Sequence, residues 1–296
     1  MTAPAHDANP QRDDFRFFDR LRVRWAEVDM QKIVFNGHYL MYFDTAVAAY
    51  WRALALPYHE TMHALQGDLY VRKATLEYEG SARYDDACDV GLRCARIGNS
   101  SMLFKAALFR GEQRLVHGEL VYVFADPATQ TSRPVPPSLR AALDRFEAGG
   151  SMLDVETAAW RGLATETAAL RQAVWADELG QPEAAAIDAD DATATHALAR
   201  NRMGLAVGCG RLASDDGRIG QVSRMSVLQA VRGGGVGRAL LSALVAQARQ
   251  QGLHMLRLQA QRSAVGFYAR AGFAVAHAEP LLLGGVPHVP MGLRLA

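Results

Sequence analysis

The chain has 296 residues, of which 50% are hydrophobic and 21% charged, with a formal net charge of +1. That length suits two domains of roughly 150 residues with packed cores, and the near-neutral charge supplies no global field for nucleic acid or an anionic membrane. Three cysteines without C-x-x-C spacing fit a reducing cytoplasm and neither a disulfide framework nor a zinc site.

Met1 to Asp14 are polar and lack the apolar core of a signal peptide, so residues 1–14 read as a disordered tail. No apolar run approaches the ~18 residues of a membrane span. A strand is expected over Leu21 to Trp25, followed by a loop holding Glu27 and Asp29. A long helix should start near Asn36, read as its N-cap. Tyr39, Phe43, Ala46, Val47, Tyr50 and Leu54 make one apolar stripe at helical spacing, closed by Pro57. Four strands follow, near Leu69 to Glu79, Cys88 to Arg96, Met102 to Arg110 and Leu115 to Ala125, with turns at Asn99 and Gly111. One long helix and about five antiparallel strands describe an α+β domain whose sheet wraps a helix.

Three features of this half resemble the hotdog-fold acyl-CoA thioesterases of the 4-hydroxybenzoyl-CoA thioesterase type. They are the run R-W-A-E-V-D-M-Q-K-I-V-F-N-G-H-Y-L-M-Y-F-D (Arg24 to Asp44), Ala82-Arg83-Tyr84-Asp85-Asp86, and Ile97-Gly98-Asn99-Ser100-Ser101. The resemblance implies a hotdog domain over 15–138 with Asp29 as catalytic carboxylate. It also implies oxyanion or substrate contacts from the helix start at Asn36 and His38, and a homodimer or larger even assembly. Lys32 stands where the family commonly has Gly. Glu27 reads as solvent-facing or loop-orienting, Asp44 as structural.

The segment from Asp126 to Asp154 is rich in turn residues. A linker with a short helix is expected over 139–155, with Ala148-Gly149-Gly150-Ser151 as a flexible joint. Beyond it the expected order is a helix (Thr165 to Leu179) and two strands (Gly204 to Ala213, Ile219 to Leu228) joined by Ser214-Asp215-Asp216-Gly217. A glycine loop, a helix from Val236 ended by Gly252, a strand (His254 to Gln259), a helix (Arg262 to Arg270) and a last strand (Val289 to Leu295) complete it.

The glycine loop carries the most chemistry. Val227 to Leu241 read V-L-Q-A-V-R-G-G-G-V-G-R-A-L-L, glycines at a strand-to-helix turn. There backbone N–H groups can crowd an anion, and the helix dipole favours it. No Lys-Ser/Thr follows, which excludes a triphosphate P-loop, and the spacing is not the dinucleotide G-x-G-x-x-G. With Phe267-Tyr268-Ala269-Arg270-Ala271-Gly272-Phe273, the loop resembles the GNAT acyltransferases. Leu170 to Trp175 and Gly285-Val286-Pro287-His288-Val289-Pro290-Met291 are similar to the ElaA-like subgroup.

The resemblance implies a mixed α/β GNAT domain over 156–296. Amides of Gly233, Gly235, Val236, Gly237 and Arg238 would bind the pyrophosphate, with Arg232 adding charge. Main-chain groups of Met225 and Val227 would pair with pantetheine, and Tyr268 would protonate the leaving thiolate. Phe267 and Phe273 read as core. Glu178, Asp188, Asp190 and His196 are candidates for a general base, His288 for the acceptor pocket. Asp188 to Asp191 read as a solvated acidic loop, and no metal is implied.

The expected whole is a fused cytoplasmic enzyme using acetyl-CoA or acyl-CoA as substrate. One half hydrolyses the thioester and the other passes the acyl group to a small or protein amine. The alternatives are a thioesterase whose GNAT half is a non-catalytic CoA-binding regulator, or a transferase dimerised by an inert hotdog scaffold.

Overall fold

The computed structural model describes residues 10–182, 186–214, 217–276, 281–283 and 286–295. Tail residues 1–9, Asp215 and Asp216 of the expected hairpin turn, and Gly285 lie outside them. The chain divides into two compact units, Met1–Met152 and Leu153–Ala296.

In the first unit, β1 (Phe17–Arg22), β2 (Asp68–Tyr78), β3 (Ala87–Ile97), β4 (Ser101–Arg110) and β5 (Gln113–Ala125) accompany α1 (Asn36–Ala53), α2 (Tyr58–Ala64) and α3 (Pro137–Glu147). The antiparallel sheet has the order β1-β3-β4-β5-β2. Tyr39, Phe43, Ala46, Val47, Tyr50 and Leu54 are buried as their spacing predicts. This is the hotdog arrangement, a curved sheet around one buried helix. Asn36 is the first helical residue and Phe35 the N-cap, with no side-chain cap. The Phe35 amide is held by the Glu27 carbonyl at 2.9 Å, which starts the turn one residue earlier than expected.

The expected linker helix is α3, and it belongs to this core. Leu139, Ala142, Leu143 and Phe146 are buried, and Glu147 accepts hydrogen bonds from the Tyr50 hydroxyl and the Cys94 amide. The expected flexible joint is bonded too. The Gly150 amide reaches the Arg145 carbonyl at 2.8 Å, and Arg145 Nε reaches the Ser151 carbonyl at 2.8 Å. The tail expectation fails from Arg12 onward. Arg12–Asp14 form a 3-10 turn, and Arg12 bonds Asp89 at 2.6 Å while lying over Phe18.

The second unit contains β6 (Leu153–Ala159), α4 (Trp160–Arg171), a π-helical turn (Gln172–Glu178), β7 (Thr195–Asn201), β8 (Ala206–Ala213), β9 (Ile219–Val227), α5 (Val236–Gln250), β10 (Met255–Gln261), α6 (Val265–Arg270), β11 (Ala274–Val275), β12 (Leu281–Leu283) and β13 (Val286–Arg294). The sheet runs β11-β13-β10-β9-β8-β7-β6, with β12 on β13. The strands β6 and β7 were not anticipated. The expected helix over Thr165 to Leu179 starts at Trp160 and loosens into the π-turn at Gln172. α5 packs closely on β8 because Gly208 leaves room: a Cβ there would lie 2.7 Å from Val236 Cγ1. No described helix is long and apolar enough to cross a membrane.

Candidate active sites

The first site is the loop between β1 and α1. Glu27 is only 3% exposed, which corrects the solvent-facing expectation. Its carboxylate receives the Arg24 amide (2.7 Å), Arg24 Nε (2.6 Å) and the Tyr42 hydroxyl (2.7 Å). Burial works to raise the Glu27 pKa, but these donors outweigh it and hold the carboxyl below its ordinary value. Glu27 therefore ties both ends of the loop to α1.

Asp29 is half-buried within that loop. Its Oδ1 accepts the Gln31 amide at 2.7 Å, its amide bonds the Ile33 carbonyl at 2.9 Å, and its carbonyl accepts the Lys32 amide at 2.9 Å. Lys32 closes this tight turn with φ of 63°. The helix start follows at once. The His38 amide is bonded to the Phe35 carbonyl at 2.9 Å. The amides of Asn36 and Gly37 belong to the first turn, where no intrahelical carbonyl is available. The Asn36 carbonyl accepts from the Tyr78 hydroxyl at 3.3 Å, and the His38 ring lies edge-on to Phe35. Trp25, Met30 (99% exposed) and Phe35 on this stretch, Leu40 and Met41 on α1, and Tyr78 on β2 are exposed apolar side chains. Asp44 is structural, accepting the Tyr122 hydroxyl at 3.0 Å.

The second site opens between two strands. β9 and β10 run parallel but pair only at Ile219–Met255, Gly220–Leu256 and Gln221–Arg257. Beyond these pairs β9 continues to Val227 and β10 to Gln261, so the sheet parts there. At the end of β9 lies the glycine turn. Gly233 (φ 88°) and Gly235 (φ 90°) take left-handed backbone that other residues adopt only at a cost. Gly235 is the N-cap of α5, so Val236, Gly237 and Arg238 present the first amides of a 15-residue helix.

Met225 and Val227 sit on the open stretch of β9. The Leu228 amide bonds Val207 in β8, so by alternation the main-chain groups of Met225 and Val227 face the parting. The Val227 carbonyl already accepts Arg232 Nε at 3.0 Å. Arg232 also grips Glu178 with both terminal nitrogens, at 2.6 and 2.7 Å. Tyr268 is buried on α6 between Phe267 and Phe273, and burial pushes its phenol up to about 12. Phe273 is core as expected, whereas Phe267 is half-buried over Gly237.

A family model described as "Acetyltransferase (GNAT) domain" matches residues 163–295, and one described as "Thioesterase superfamily" matches residues 31–117. A Bacillus subtilis protein named for acetyltransferase activity is 32% identical over 125 residues, which is 41% of this chain and 83% of that protein. The chain joins a thioesterase-superfamily domain to a GNAT acetyltransferase domain. The acyl-CoA thioester hydrolase YbgC of Escherichia coli is 26% identical over 125 residues, covering 41% of this chain and 90% of that protein. The crystal structure of a thioesterase-superfamily protein from Jannaschia sp. CCS1 covers 46% of this chain and 95% of its own, at 20% identity and a TM-score of 0.43. Asp29 lies just ahead of the range matched by the thioesterase family.

The GNAT domain holds a buried ionic cluster that sequence reasoning missed. Arg171 is 0% exposed and grips both oxygens of Asp191 (1% exposed) at 2.9 Å. Arg211 bonds Asp191 at 3.0 Å and also Asp188, which pairs with Arg224 at 2.6 Å. The expected solvated acidic loop is thus an anchored one. Burial works to raise the pKa of Asp188 and Asp191, but the donors around each outweigh it and hold both below the usual carboxylate range.

The base candidates are correspondingly engaged. Glu178 is clamped by Arg232 and Asp188 by two arginines. His196 is fully buried, bonding the Asp191 carbonyl at 3.0 Å and Arg171 at 3.3 Å. Asp190 is exposed, 3.8 Å from Arg211. His288 lies on β13 opposite Gln261, with Nδ1 2.9 Å from the Val286 carbonyl. The legible signal was a charge inside an apolar run, at Arg171 (A-A-L-R-Q-A-V) and Arg211 (V-G-C-G-R-L-A). Among the described residues no three His, Cys, Asp or Glu side chains group as a metal site.

Proposed function

We propose that the thioesterase domain hydrolyses acyl-CoA thioesters at Asp29 and that the GNAT domain transfers an acyl group from CoA to an amine. The observation that carries the reading is the parting of β9 from β10 beside the glycine turn. It offers main-chain groups to an extended pantetheine arm and an amide cluster to a pyrophosphate. In transfer, the amine nitrogen forms a bond to the thioester carbon and the C–S bond breaks. The thiolate takes a proton from Tyr268, whose raised pKa keeps it protonated until then, and the nitrogen loses its extra proton to solvent.

In hydrolysis, the Asp29 carboxylate takes a proton from the water that adds to the thioester carbon, or adds to that carbon itself to give an anhydride that water then opens, and the acyl group leaves as a carboxylic acid. The Asn36 and Gly37 amides stabilise the oxyanion, and CoA thiolate departs. The reading includes cytoplasmic acyl-CoA as shared substrate and a homodimer through the hotdog domain. A second reading, a CoA-binding GNAT regulator of the thioesterase, is favoured by one observation: Glu178, Asp188 and His196 are all held by arginines.

The test is a double dissociation in the full chain. Asp29→Ala should lower thiol release from acyl-CoA about 100-fold while leaving amine acylation intact. Tyr268→Phe should slow acylation about ten-fold and spare hydrolysis. Unchanged hydrolysis in the first variant removes Asp29 from its role. A parent that binds acetyl-CoA, acylates no amine, and hydrolyses acyl-CoA in response to that binding supports the regulatory reading.

A further inference from the structure

Three buried side-chain polar atoms of the GNAT domain have no hydrogen-bond partner among the described residues, and two of them, Thr167 Oγ1 and Arg171 Nε, belong to α4. The third is Gln259 Oε1, on β10. Its strand position is informative. Gln259 lies two residues past the last β9–β10 pair, Gln221–Arg257, where the strands separate.

Its face can be worked out from register. Gly208 packs beneath Val236 and Leu240 of α5, and the even-numbered β8 residue Leu212 shares that face. A Cβ at Gly220 would meet both Leu212 and Leu256, which places Leu256, and by alternation Leu258 and Ala260, on the α5 side. Gln259 therefore projects from the opposite face, which carries α4, Cys209 and Ser226. Neighbouring polar groups on β8 and β9 there are satisfied. Ser226 accepts Trp175 Nε1 at 2.8 Å, Ser223 accepts Arg211 Nε at 3.0 Å, and Arg224 is held by Asp188. A carboxamide oxygen buried without a donor costs free energy unless a ligand supplies one.

We propose that Gln259 is an acceptor-binding residue, its side-chain carbonyl receiving an N–H of the amine that attacks the thioester. This rests on the transfer reading above. With the pantetheine arm in the plane of the parted strands and the α5 face closed by packing, the amine reaches the thioester carbon from the side that Gln259 occupies. An amide oxygen is far too weak a base to take the proton. It accepts a hydrogen bond and thereby orients the nitrogen lone pair.

The experiment compares the parent full-length protein with Gln259→Leu and Gln259→Glu. Acetyl-CoA is the donor, and benzylamine, spermidine and N-acetyl-lysine amide are the probes. N-acetylated product is read by mass spectrometry and acetyl-CoA affinity by calorimetry. Gln259→Leu should lose about ten-fold or more in kcat/KM for the amine. Its acetyl-CoA Kd should be unchanged and its melting temperature no lower, because an isosteric apolar group replaces an unpaired oxygen. Gln259→Glu, which keeps an acceptor, should recover most of the loss. Parental kcat/KM in Gln259→Leu, or a Glu variant as impaired as Leu, overturns the proposal while transfer stands. A parent that binds acetyl-CoA but acylates none of the probes overturns the transfer reading and this inference with it.

Discussion

Lys32 pays a conformational cost at the candidate hydrolytic site. Its φ of 63° lies in the left-handed region, where a side chain costs about 1–2 kcal/mol. The turn is held in place by the Asp29 and Ile33 bonds around it, so the strain persists in the folded chain. Lys32→Gly relieves it, offset in part by glycine's greater unfolded entropy. The net gain should be roughly 0.5–1 kcal/mol, a rise of about 2 °C in the melting temperature of this domain by calorimetry. A fall on substitution would show that the lysine side chain earns its place through contacts that outweigh the backbone. The sequence marked this residue as a departure from the family pattern, but the dihedral angle that makes it one is visible only in coordinates. The placement of Asp29 before a helix start and of the glycines at a strand–helix turn was legible because both patterns are local. For Glu27 the loop-orienting alternative fits and the solvent-facing one does not, and the sequence left both open because its partner Tyr42 lies 15 residues away.

At the scale of elements, the hotdog sheet depends on one close approach. A Cβ on Gly118 of β5 would sit 2.1 Å from the Thr75 carbonyl oxygen of β2, which is backbone and cannot swing aside. Gly118→Ala should therefore force β2 away from β5 and cost about 3 kcal/mol, measured by denaturant midpoint. A loss below ~1 kcal/mol would mean that the strands separate freely at that level. Elements whose pattern is internal, such as α1 and α5, could be placed from spacing alone. The strand β7 (T-H-A-L-A-R-N) carries only a short alternation, and α4 passes into a π-turn that no helical period announces. The ionic cluster of Arg171, Asp191, Arg211 and Asp188 joins residues from a helix, a loop and a strand, so no window of sequence contains it.

At the scale of the molecule, each unit leaves something open that a partner can close. On the hotdog domain, the 11-residue strand β2 forms an edge of the sheet, and Val71 and Tyr78 on it are exposed. Long edges of this kind invite pairing with a second copy. Light scattering should give at least twice the chain's 32.2 kDa, and a monomer at micromolar concentration would remove the dimer from the proposed site. In the GNAT domain the opening is internal, between β9 and β10. There a sheet that is otherwise continuous keeps a seam of peptide groups without a neighbouring strand. Such a seam trades rigidity for receptivity. The amides of Met225 and Val227 should swap protons with deuterated solvent quickly in the empty protein and become slow once acetyl-CoA threads the gap, so that a small molecule serves as the missing strand of a protein sheet.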